Sequence, residues 1–266
     1  MNPFGYYDPT SVQKAVGIAA DKGDAKYLAG GQSLIATMKL GLAEPSDLID
    51  LAQIPDLRGI RVEANGATIT IGAMTRHAEV AASLEVGARI PALATLAALI
   101  GDRQVQNRGT LGGSIANNDP AADWPAAVLA LEATIHTDHR KIAAADFFKG
   151  FYTTALQPAE LITSISFPVP KRAAYVKFRQ PASRFALVGV FVAQTAQGVR
   201  VAVTGAGTRG VFRAKAMEEA LARNWTPESL RSVALAAADM QSDIHASAEY
   251  RAHLVNVMAR RAVAAA

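Results

Sequence analysis

The chain has 266 residues, 50% of them hydrophobic and 19% charged, with no cysteine. That excludes disulfides, thiolate-bound zinc, cysteine-held iron–sulfur clusters and a cysteine nucleophile from this chain, and the length suits a substantial core in two domains. Lys and Arg number 27 against 23 Asp and Glu, a net charge of +4, with no long basic run or aromatic-interleaved patch, which argues against a nucleic-acid partner.

The opening MNPFGYYDPT lacks a basic region followed by an apolar stretch, and the longest apolar segment, Ile90 to Ile100, falls short of the ~20 residues that span a bilayer. A cytoplasmic protein that is not integral to a membrane is expected. Apolar residues recurring from Val12 to Ala20 predict a first helix between Pro9 and Gly23, followed by a strand at Lys26 to Leu28, a Gly-Gly turn and a short helix from Leu34 to Leu40. Asp47 to Leu51 reads as a strand. Ile60 to Val62 and Ala67 to Gly72 flank Asn65-Gly66, a strong hairpin signal. Helices are predicted at Thr75 to Ser83 and Ile90 to Ile100. Arg103 to Trp124 has little periodicity and much Gly, Asn and Asp, as in a long ordered loop. A helix near Pro125 to Leu131 and strands near Ala133 to Thr137 and Leu161 to Phe167 follow. After Pro168-Val-Pro170 come strands at Tyr175 to Arg179, Leu187 to Gln194 and Val199 to Gly205, then an Ala-rich helical stretch over 214–266. The class is α+β, with a boundary near residue 170.

Two Gly-Gly segments carry the chemistry: Ala29-Gly-Gly-Gln-Ser33 and Thr110-Leu-Gly-Gly-Ser114. Adjacent glycines let backbone N–H groups approach a ligand without a Cβ in the way, and anionic oxygens such as those of a diphosphate are their natural guest. Asn117, Asn118, Asp119 and Asp123 follow the second segment, with short polar groups suited to sugar hydroxyls or, alternatively, to Asx turns and caps. Gly205-Ala-Gly207-Thr-Arg-Gly210 spells GxGxxG but lacks the parallel βαβ unit and second-strand acidic residue of a dinucleotide fold, so it reads as a loop leaving a strand. His136 and His139 have no partners at metal-ligand spacing. Trp124 is expected to pack beneath the Asp-rich segment, and Tyr6 and Tyr7 to serve either the core or a partner subunit.

AGGQSL and TLGGSIANNDPAADWP together resemble the two flavin-binding signatures of the FAD-binding medium subunit of the molybdenum hydroxylases, the carbon monoxide dehydrogenase and xanthine dehydrogenase family. ELITSISFP at 160–168 and YVKFRQPASRFALVGV at 175–190 extend the resemblance over nearly the whole chain. It implies a two-subdomain FAD-binding domain of the PCMH type over residues 1–170, divided near residue 57, and a smaller domain over 171–266 with an antiparallel sheet and C-terminal helices.

Carried over position by position, Leu28, Ala29, Gly30, Gly31, Gln32, Ser33 and Leu34 would wrap the FAD diphosphate from one subdomain. Gly109, Thr110, Leu111, Gly112, Gly113 and Ser114 would approach it from the other, with Ala116, Asn117 and Asp119 beside them. Asp123 would bond cofactor hydroxyls, Ile162 would supply an apolar backbone contact, Ile100 would lie against the isoalloxazine, and Lys177 or Arg179 would be the basic residue near the flavin. Gln32 stands where many relatives have His, and Asn117-Asn118 where they read His-Ala; neither change removes a glycine or an aspartate. Gly112→Val is expected to abolish flavin retention and spare the fold. The implied partners are a small subunit with two 2Fe-2S clusters and a large subunit with molybdopterin, as a dimer of heterotrimers in which this chain passes electrons to an external acceptor. A self-contained flavin oxidoreductase and a non-catalytic nucleotide-binding module are the alternatives.

Overall fold

In the computed structural model, which describes residues 2–266, short polar side chains open several of the helices. After strand β1 (Gly5–Tyr7), the Ser11 hydroxyl accepts from the amide of Lys14 and starts helix α1 (Val12–Asp21), whose Ala15 is fully buried. Strand β2 (Ala25–Leu28), helix α2 (Leu34–Lys39) and strand β3 (Asp47–Asp50) complete a three-stranded parallel sheet in the order β1-β3-β2. The N-terminal strand β1 is not foreseen in the sequence. Its Gly5 lies so close to Asp47 that a Cβ there would overlap the carboxylate.

Strands β4 (Ile60–Val62) and β5 (Thr68–Gly72) form the expected hairpin, with Gly66 at φ 70° and Asn65 Oδ1 accepting from the amide of Ala67. Next come helices α3 (His77–Ala82), α4 (Leu84–Arg89), α5 (Pro91–Ala98), α6 (Arg103–Gln106), α7 (Leu111–Asn117) and α8 (Trp124–Ala130). The expected loop over 103–124 is therefore broken into short helices. Asp102 caps α6 through the amide of Val105, and Thr110 caps α7 through that of Gly113. The second glycine pair lies in the first turn of a helix, where its low helix propensity conceals it from a reading of periodicity.

Strands β6 (Thr134–Thr137) and β7 (Lys141–Ala143), helix α9 (Ala144–Phe147), the small ribbon β8 (Phe148–Gly150) and β9 (Thr153–Thr154), and strand β10 (Ile162–Pro168) follow. They complete an antiparallel sheet ordered β4-β5-β10-β6-β7. Its buried face carries Ile69, Ile71, Ile135, Ile165 and Phe167 into a core shared with Leu93, Leu96 and Trp124. His136 Nε2 meets Ser166 Oγ at 2.7 Å and His139 Nδ1 meets Asp138 at 3.0 Å, so both histidines are engaged by local polar groups.

Strands β11 (Arg172–Arg179), β12 (Ala186–Thr195), β13 (Gly198–Thr204) and β14 (Phe212–Arg213) form a second antiparallel sheet in chain order. Alternation along β12 serves two cores: Phe191 and Ala193 join the first, while Val188, Val190 and Val192 pack with Met217, Val255 and Met258 of helices α10 (Lys215–Arg223) and α11 (Ala248–Ala265). Gly205 and Gly210 lie in the connection from β13 to the antiparallel β14, as expected of a loop leaving a strand. Most of residues 224–247, expected to be helical, is irregular. The amide of Gln241 donates to the carbonyl of Ala206 and that of Thr208 to Asp239, so pairing with the 205–208 loop overrides the helix propensity of the alanines.

Candidate functional site

The turn between β2 and α2 crosses directly over the segment that precedes α7. A Cβ built on Gly30 would overlap the carbonyl oxygen of Arg108 and lie 2.6 Å from its carbon and 2.9 Å from Cα of Gly109. One on Gly113 would come within 3.3 Å of the Ala29 methyl, and Asn117 Nδ2 lies 3.5 Å from Ser33 Oγ. Two glycine segments about eighty residues apart in the chain are therefore neighbours in space, and glycine at position 30 is what permits the approach.

They line one cleft with a cavity of about 440 Å³, a size typical of small-molecule sites. Of the residues nominated from the sequence, Ala29, Gly30, Gly31, Gln32, Ser33 and Leu34 contribute one wall. Gly109, Thr110, Gly112, Gly113, Ser114, Ala116, Asn117, Asp119 and Asp123 contribute another, and Ile100 and Ile162 add apolar surface. Leu28, Leu111, Lys177 and Arg179 do not line it. Leu111 is fully buried in the core, and the Leu28 carbonyl is taken by the amide of Leu51.

The segments contribute differently. The amides of Gly30, Gly31, Gln32 and Ser33 donate to no protein acceptor among the described residues, and Gly31 holds φ 72°, in the left-handed region. In the second segment the amides of Leu111, Gly112, Gly113 and Ser114 donate to Thr75 O, Ala73 O, Thr110 Oγ1 and Thr110 O. The expectation that both glycine pairs offer free amides is thus corrected: the first supplies amides, and the second supplies side-chain-free space beside the Thr110 and Ser114 hydroxyls. A row of unpaired amides beside a largely apolar cleft fits FAD, whose diphosphate is anionic and whose flat isoalloxazine has an apolar dimethylbenzene end.

Residues 2–170 match the FAD binding domain in molybdopterin dehydrogenase, and residues 173–266 match the CO dehydrogenase flavoprotein C-terminal domain. The chain belongs to this family of flavoproteins. It is 37% identical to the carbon monoxide dehydrogenase medium chain of Hydrogenophaga pseudoflava, over 99% of this chain and 96% of that one. It is 36% identical to the nicotine 6-hydroxylase medium subunit of Paenarthrobacter nicotinovorans, over 97% and 95%. Reconstituted CO dehydrogenase from Oligotropha carboxidovorans contains a chain that superposes with a TM-score of 0.91 at 36% identity, covering 99% of this chain and 97% of that one.

In this flavoprotein, Asp123, which lines the cleft, also has two protein partners. Its carboxylate lies 2.9 Å from Lys177 Nζ and accepts from the Tyr175 hydroxyl, with the Asp123 and Lys177 side chains only 4% and 2% exposed. Burial pushes the Asp123 carboxyl up against the opposing pull of Lys177, and burial pushes the Tyr175 phenol well above its ordinary range. Lys177 thus reaches the cleft only through Asp123, and Arg179 has no part in its lining.

Several other nominated polar groups hold the local fold. Asp119 Oδ1 accepts from the amide of Ala121 and its Oδ2 from the Tyr152 hydroxyl. Asn118, at φ 45°, donates to the carbonyls of Gly150 and Thr153. A Cβ on Gly112 would sit 2.8 Å from the Ala73 carbonyl oxygen and 2.9 Å from its Cα, so Gly112→Val disturbs the fold and is not the clean cofactor probe expected.

The cleft also includes Lys26, Tyr27, Met74, His77, Glu160 and Arg184, to which the two glycine segments give no pointer. Glu160 is gripped by Arg140 through two contacts of 2.7 Å, which lowers its carboxyl to about 2. Arg184 donates to the carbonyl of Gly101 at 3.2 Å, joining the loop after β11 to the segment after α5. Among the described residues, no helix is long and apolar enough to cross a membrane.

Proposed function

We propose that this chain is the FAD-binding, electron-transferring subunit of a heteromeric molybdenum hydroxylase. The observation that carries the reading is the pairing of unpaired amides at Gly30 to Ser33 with the glycine-opened wall at 109–113, in a chain whose relatives over nearly their full length are medium chains of carbon monoxide dehydrogenase and nicotine 6-hydroxylase.

Gly30, Gly31, Gln32 and Ser33 would hold the diphosphate by backbone N–H, and the Thr110 and Ser114 hydroxyls would add side-chain donors. Asp123 would accept from a cofactor hydroxyl with its charge already balanced by Lys177. Ile100 and Ile162 would keep water from the ring system. When bound, FAD supplies a redox centre able to take electrons and deliver them to an external acceptor, chemistry that amino-acid side chains do not provide.

Substrate hydroxylation would occur at molybdenum in a large molybdopterin subunit, with two 2Fe-2S clusters in a small subunit carrying electrons to this chain. The absence of cysteine agrees with clusters housed elsewhere. A dimer of heterotrimers in the cytoplasm is the proposed assembly, with Ala29 to Leu34, Ile100, Gly109, Thr110, Gly112 to Ser114, Ala116, Asn117, Asp119, Asp123 and Ile162 as the cofactor-binding residues. Residues 1–170 and 171–266 are the proposed domains.

The test is purification through a tag on this chain, with flavin, iron and molybdenum analysis of what accompanies it. One FAD per chain, together with iron- and molybdenum-bearing partners required for turnover, supports the proposal. A flavin-free assembly, or substrate turnover by the yellow chain alone, contradicts it.

A further inference from the structure

His77 lies in the wall of the cleft. Its side chain lies in the first turn of α3 and is 4% exposed. The indole Nε1 of the fully buried Trp124 lies 3.1 Å from His77 Nδ1. An indole N–H can only donate, so Nδ1 must accept and the ring proton must reside on Nε2. Burial lowers the imidazole to about 4, which keeps that tautomer neutral at physiological pH.

No protein acceptor among the described residues receives the Nε2–H, although His77 lines the same cavity as the glycine segments. The location of Nε2 is informative. A Cβ on Gly109 would stand 2.6 Å from it, while a Cβ on Gly30 would stand 2.9 Å from Cα of the same Gly109. The imidazole edge and the start of the unpaired amide row thus flank one glycine, whose missing side chain leaves the donor uncovered.

Resting on the FAD reading, we propose that His77 Nε2–H donates to an anionic diphosphate oxygen of the bound dinucleotide, with Trp124 fixing the tautomer that makes this possible. Nε2 faces the cleft beside Gly109 with no side chain over it, and a charged acceptor makes the strongest hydrogen bond with such a donor. Because the donor is neutral, the grip requires no buried cation.

Two variants separate this role from packing. His77→Asn keeps an acceptor for Trp124 at the Nδ1 position and removes the distal donor. His77→Gln restores a donor near the Nε2 position and gives up the Trp124 contact. Flavin release from the holoprotein, followed by FAD fluorescence, and the thermal midpoint of the flavin-stripped protein are measured for both. The expected pattern is crossed: His77→Asn loses FAD about ten- to a hundredfold faster at a midpoint near that of the parent, the range for a hydrogen bond to a charged group. His77→Gln releases FAD near the parental rate from a protein with a lowered midpoint. Retention and midpoint falling together in both variants, or retention unchanged in His77→Asn, overturns the inference. A parent protein that carries no FAD overturns instead the reading on which it rests.

Discussion

Alanine at position 30 is the sharpest small perturbation of the cleft. Its methyl group would occupy the space of the Arg108 carbonyl, and the neighbouring atoms at 2.6 and 2.9 Å are also backbone, which has no rotamer to escape into. The β2–α2 turn must therefore move off the 108–109 segment. Overpacking of this kind costs about 1–3 kcal/mol, which for a chain of this size lowers the thermal midpoint by roughly 2–12 °C. The displaced turn carries the unpaired amides of Gly30 to Ser33. Misdirecting two of them from a charged oxygen, at about 1.5–3 kcal/mol each, weakens FAD by a factor of about a hundred or more. Flavin dissociation followed by fluorescence, with calorimetry of the same samples, measures both effects. Gly17→Ala is the control, because a Cβ there meets nothing within 4 Å. A Gly30→Ala protein that retains FAD like its parent would refute the argument that the two segments must touch to form the site.

The Gly17→Ala control carries its own prediction, a gain of about 0.5–1 kcal/mol from improved helix propensity in α1, read as a higher denaturation midpoint; a loss contradicts it. Asp123→Asn leaves the Lys177 ammonium buried without its counter-ion and should destabilise by about 3–5 kcal/mol, with much of the loss recovered in Asp123→Asn/Lys177→Met; an unchanged urea midpoint in the single variant would show the pair to be dispensable. His77 imposes an acid limit. With its folded pKa at about 4 against an ordinary 6.5, the unfolded chain takes up a proton first, so the His77 contribution is complete above about pH 6.5 and is lost as pH falls towards 4. The loss is about 3 kcal/mol, and the pH dependence of the urea midpoint should flatten across that window in His77→Phe.

Periodicity and turn chemistry are good guides where local preference and packing agree. The 60–72 hairpin follows from Asn65-Gly66, and α1 from its apolar spacing and the Ser11 cap. They are poor guides where tertiary contact outweighs preference. Gly112 and Gly113 depress helix propensity, yet α7 forms because Ala73 fills the space of the Gly112 side chain and Thr110 caps the turn. The alanines near 236 favour a helix, yet pairing with the 205–208 loop keeps them irregular. The same asymmetry holds in the cleft. The glycine segments are visible as motifs, whereas nothing in the sequence joins His77 to Trp124, or Asp123 to Lys177 and Tyr175, because those meetings are made by helix and sheet packing across 47 to 54 residues.

In the proposed holoprotein the amides of Gly30 to Ser33 and the opened wall at 109–113 grip one dinucleotide by its diphosphate. Competition between FAD and FMN for the flavin-stripped protein isolates that grip, because FMN has the same ring and ribityl chain with a single terminal phosphate. One FAD should bind per chain, with FMN displacing it only at large excess and that preference collapsing in Gly30→Ala. Equal affinity for the two flavins, or a preference for FAD that survives in Gly30→Ala, would contradict that grip.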